Sequence, residues 1–98
     1  MLQKIRYVGE IMKIIKISAI WCPGCLVMKK VWKNILNDYP NLDIKELDYD
    51  MDSEEVAKYN TGSVLPVTIF LDDNNSELER LIGEQKESTI RNNIDKYR

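Results

Sequence analysis

Apolar and polar positions alternate along the chain in blocks of two different periods. Met12 to Ile20 is dense in isoleucine, whose branched side chain suits a pleated surface, and reads as a buried strand. Pro23 to Asp38 changes period: Leu26, Met28, Val31, Trp32, Ile35 and Leu36 recur at helical spacing. Pro23 fits the first helical position, where its missing N–H is no loss, and Tyr39-Pro40-Asn41 stops the helix. Leu42 to Tyr49 alternates as a second strand, with a change of phase at Leu47. Asp52 or Ser53 caps a short helix reaching about Tyr59, and Asn60 to Ser63 is a loop. Val67 to Leu71 is a third strand. The turn Asp72-Asp73-Asn74-Asn75 leads to a fourth, Leu78 to Ile82, paired antiparallel with the third. Gly83 breaks it, and a last helix starting near Ser88 gathers Ile90, Ile94 and Tyr97 on one face. Residues 1–10 fit an extra edge strand or a loose extension.

The order is β-α-β-α-β-β-α, an α/β arrangement. Helical crossovers imply parallel pairing among the first strands, and the closing hairpin is antiparallel. A mixed central sheet with helices on both faces is expected, in one domain spanning residues 1–98.

Composition narrows the chemistry. The chain is 44% hydrophobic and 31% charged, ordinary for a soluble domain. Its net charge is -2 with both signs scattered, so neither nucleic acid nor an anionic membrane is an expected partner. The most apolar stretch, from Ile11 to Trp21, is short and broken by Lys13 and Lys16, so no membrane span is expected. The N-terminus lacks the apolar run of a secretory signal, which points to a cytoplasmic address. There is no histidine, which excludes Ser-His-Asp and Cys-His catalysis within one chain.

Both cysteines of the chain fall in Trp21-Cys22-Pro23-Gly24-Cys25, where the first strand gives way to the first helix. A thiol attacks a disulfide as its thiolate, and free N–H groups at a helix start stabilise that charge. Cys22 is therefore the expected nucleophile. Cys25, one turn further on, would attack Cys22 to break a mixed disulfide. Trp21 would cover one side of the site. Pro23 offers no N–H to the sulfur, and Gly24 leaves it uncrowded. Other readings of the pair are half of an intersubunit metal site, or a fold remnant in a binding module.

With these residues in place, the sequence resembles the thioredoxin family from Met12 to the C-terminus. The features that carry the resemblance are the WCPGC segment after an isoleucine-rich strand, Leu65-Pro66 before Val67-Thr68-Ile69-Phe70, and Gly83 between last strand and last helix. The resemblance implies a thioredoxin fold and a cis Leu65–Pro66 peptide facing the cysteines. It also implies a substrate surface made by Ile20, Trp21, Leu65, Pro66 and Gly83. Typical members hold a buried aspartate in the first strand, where this chain has Lys16. They hold a lysine in the next strand, where it has Glu46. The pair looks exchanged, with Glu46 in the acid's part and Lys16 holding it charged. Proline after the first cysteine is similar to glutaredoxins, so a glutathione-dependent enzyme is an alternative. The implied activity is dithiol reduction of protein disulfides by a monomer. It needs no bound cofactor beyond the redox-active Cys22–Cys25 pair, and a separate reductase recycles it.

Overall fold

The computed structural model describes residues 12–97; the edge strand or extension considered for residues 1–10 lies outside them. The described chain forms β1 (Lys13–Ser18), α1 (Pro23–Asp38), β2 (Asp43–Asp48), α2 (Ser53–Ala57), β3 (Val67–Leu71), β4 (Glu77–Ile82) and α3 (Glu87–Tyr97). All seven expected elements are present, with ends moved by a few residues at most.

The strands line up as β2-β1-β3-β4. β1 pairs with β2 in parallel, as the crossover through α1 requires. β3 runs antiparallel to β1, so parallel pairing is confined to the first two strands. The long connection through α2 brings the chain back in reverse beside β1, a direction that the local pattern did not encode.

Central position explains why β1 carries isoleucine at three of its six places, Ile14, Ile15 and Ile17: both of its faces are covered. Ile14 and Phe70 meet Met28, Trp32 and Ile35 of α1 and Ile90 and Ile94 of α3. On the other face Ile15, Ile17, Leu47, Val67, Ile69 and Leu71 meet Val56 of the short α2. The phase change in β2 follows from this. Ile44 packs with the α1–α3 cluster, while Leu47 packs with the α2 cluster.

The buried stripe of α1 is Cys25, Met28, Trp32 and Ile35. Leu26, expected in that stripe, is 59% exposed, and Leu36 is exposed too. Arg91 ties α3 to α1, with Nη1 2.7 Å from the Asp38 carboxylate and Nη2 donating to the Asn34 carbonyl at 3.3 Å. The β3–β4 turn is organised by Asp72, whose Oδ1 accepts the N–H groups of Asn74 and Ser76, each at 2.8 Å. Among the described residues no helix is long and apolar enough to cross a membrane.

Candidate active site

The site begins where β1 ends. Ala19 is buried, and its carbonyl accepts the Cys22 N–H at 3.2 Å. This closes a tight turn that sets Cys22 at the N-cap of α1, with extended backbone (φ -94°, ψ 112°). Pro23 follows at the start of the helix, where no N–H is needed. The Cys25 N–H donates to Cys22 Sγ at 3.1 Å, so the sulfur takes the part that a serine or aspartate oxygen usually plays at a helix start.

Both cysteines are free thiols, and with Ala19 they form a small buried cluster backed by Tyr49 and Leu65. Their environments differ. Burial, foremost, together with a side-chain hydrogen bond to Cys22, pushes the Cys25 thiol up from 9.0 to about 11. A backbone hydrogen bond from Ala19 acts in the opposite sense.

The Leu65–Pro66 peptide is cis. Pro66 is buried against the cysteine loop. A Cβ built on Gly24 would lie 3.5 Å from Pro66 Cδ, 3.8 Å from the Leu65 carbonyl oxygen and 3.3 Å from Glu84 Oε1. Gly24 is thus the place where two segments, Leu65–Pro66 and the one carrying Glu84, converge on the loop. The Gly83 N–H donates to the Pro66 carbonyl at 2.7 Å, and Gly83 itself has φ +88°, a backbone region that favours glycine. Ile20 stands out at 86% exposure.

Trp21 was expected to cover one side of the cysteines. It lies more than half exposed beside the β2–α2 turn, with its indole N–H donating to Asp50 Oδ2 at 2.7 Å. Its ring meets Tyr49 edge-on at 6.2 Å. Asp50, Tyr49 and Glu84 did not stand out in the sequence. They come from segments distant in the chain, and no local spacing marks them.

Lys16 and Glu46 face each other across the β1–β2 register, with Nζ 3.3 Å from Oε2. The pair is lopsided. The Lys16 side chain is only 16% exposed and holds its ammonium 4.9 Å from the centre of the Trp32 ring, whereas Glu46 is 68% exposed. Lys16, Glu46, Trp32, Asp48, Thr68 and Cys25 border one cavity of about 290 Å³ behind the cysteine loop.

Two buried thiols three residues apart at a helix start, the first of them capping the helix, define a dithiol–disulfide active site. Comparisons with known proteins agree. Residues 3–96 match the family model for thioredoxin. The thioredoxin of Staphylococcus epidermidis is 27% identical over 86 residues, covering 87% of this chain and 81% of that protein. The thioredoxin of Chlamydia pneumoniae is 22% identical over 91 residues, covering 93% and 87%. In three dimensions the Fasciola hepatica thioredoxin superposes with a TM-score of 0.80 at 21% identity, covering 99% of this chain and 91% of that one. The chain belongs to the thioredoxin family. It is a protein thiol–disulfide oxidoreductase.

Proposed function

We propose that the protein reduces disulfides in other proteins, with Cys22 as the attacking thiol and Cys25 as the resolving one. The observation that carries this assignment is the asymmetry of the two sulfurs. Cys22 Sγ receives an N–H at the helix start, while the Cys25 thiol is held in its protonated form by burial. Cys22 as thiolate attacks one substrate sulfur and expels the other as a thiolate, which takes up a proton. Cys25 then loses its proton and attacks Cys22, releasing the second substrate thiol and leaving a Cys22–Cys25 disulfide. Two electrons pass to the substrate. A separate reductase returns them, and no bound cofactor takes part.

Ile20, Trp21, Leu65, Pro66 and Gly83 form the docking surface, in which exposed Ile20 and Trp21 offer apolar contact to an extended segment. Pro23 and Gly24 shape the loop. Cys25 must shed its proton in the second step. Glu46 serves as the acceptor through the shared cavity, where it pairs with Lys16. The protein acts as a monomer in the cytoplasm, a compartment whose reducing poise favours the reductase direction.

The test is insulin reduction with dithiothreitol as electron source, together with a redox titration of the Cys22–Cys25 couple. Cys22→Ser should abolish turnover, and Cys25→Ser should accumulate a mixed disulfide through Cys22. Full activity in Cys22→Ser would overturn the assignment.

A further inference from the structure

Glu84 is an exposed carboxylate beside the reactive loop. Its Oε1 lies 3.3 Å from the point where a Gly24 side chain would begin, beside Pro66 and the Leu65 carbonyl. Most other carboxylates around the site are already engaged. Asp50 accepts from the Trp21 indole, Asp48 accepts the N–H groups of Asp50 and Met51, and Glu46 pairs with Lys16. Glu84 has no ion pair and no side-chain hydrogen bond among the described residues. Neither Lys86, two residues along, nor Lys29 on α1 comes within ion-pairing distance of it.

Its placement follows from the backbone. Gly83 turns the chain at φ +88°, with its N–H fixed to the Pro66 carbonyl, and the next residue is thereby directed across Gly24. A substrate segment laid over Gly24 and Leu65, with its sulfur at Cys22, passes this carboxylate. A cation one or two residues from the attacked sulfur would find there an anion without a competing partner.

From this geometry we propose that Glu84 is a specificity-determining residue, selecting disulfides whose attacked cysteine is flanked by lysine or arginine. The inference rests on the reductase reading above and names its substrate class. Glu84 takes no part in bond making. Its contribution is one solvent-exposed charge pair, which by analogy with measured surface pairs amounts to about a two- to fivefold preference.

The experiment uses two disulfide-linked peptides of one sequence, carrying either lysine or glutamate beside the attacked cysteine. kcat/KM is measured for each at low and high ionic strength, on the wild-type chain and on Glu84→Gln and Glu84→Lys. The ratio between peptides is the readout, because any change in the reactivity of Cys22 itself cancels in it. The wild type should favour the lysine peptide about two- to fivefold at low salt, less at high salt. Glu84→Gln should bring the ratio close to one, and Glu84→Lys should invert it. A preference that persists in Glu84→Gln, or its absence in the wild type at low salt, overturns the proposal while leaving the reductase reading intact. Failure to reduce either peptide or insulin would instead overturn the reductase reading.

Discussion

Replacing Cys22 by serine isolates the environment of Cys25. Of the causes that lift this thiol from 9.0 to about 11, burial comes first, and the hydrogen bond and charge of Cys22 are the other two that raise it. The variant removes the Cys22 sulfur but leaves the burial, so Cys25 should still titrate well above 9.0. At pH 8 an ordinary thiol at 9.0 is about one-tenth thiolate, while one at about 11 is about one-thousandth. Since alkylation follows the thiolate, Cys25 of the wild-type chain should react with iodoacetamide about a hundredfold more slowly than a thiol in an unstructured peptide. The variant should lie between the two. Residue-resolved mass spectrometry across pH 7 to 11 reads this directly, with the Cys25 rate rising about tenfold per pH unit and levelling off only near its own titration point. A Cys25 in Cys22→Ser that alkylates like the free peptide thiol would refute burial as the dominant cause. A linked effect has a fixed sign. The native state holds its Cys25 proton where the unfolded chain has lost it, so this contribution to stability is complete below pH 9 and disappears as pH rises through about 11.

Two further predictions concern the supports of the site. Gly83→Ala should lower stability by about 1–3 kcal/mol in urea denaturation, because φ +88° is unfavourable for a side chain. Crowding adds little, since the nearest atom, Val64 Cγ1, would sit at 3.7 Å; an unchanged midpoint would remove the conformational argument. Glu46→Gln should leave stability within about 1 kcal/mol, as the carboxylate that pairs with Lys16 is largely exposed. It should nevertheless slow resolution of a Cys22 mixed disulfide and alter the pH profile of that step; an unchanged profile would remove Glu46 from proton transfer.

Much of the fold was legible because its periods are clean. The isoleucines of β1, the apolar run of β3 and the Asp72–Asn75 turn announce themselves locally. The direction of β3 beside β1 was not legible, since it depends on how a chain returns after α2. The outward position of Leu26 was hidden for a related reason. A helix beginning at Pro23 carries more apolar residues than one stripe can bury, and contact with β1 and β3 selects Cys25, Met28, Trp32 and Ile35. At the site, Cys22, Cys25 and Pro66 could be read from motif and context. Asp50 and Glu84 could not, because they reach the loop only through tertiary structure. The Lys16–Glu46 juxtaposition falls at the positions where the sequence suggested an exchanged pair, but its carboxylate is largely exposed. Its unequal burial follows from β2 lying at the edge of the described sheet and β1 lying inside it.

That inner position of β1 has a consequence for how the enzyme survives its own work. The strand is clamped by neighbours on both edges and packed on both faces, and the cysteine loop hangs directly from its end. Fraying of α2, the five-residue helix on the thinner side, can therefore expose Val56 without loosening the anchor of the thiols.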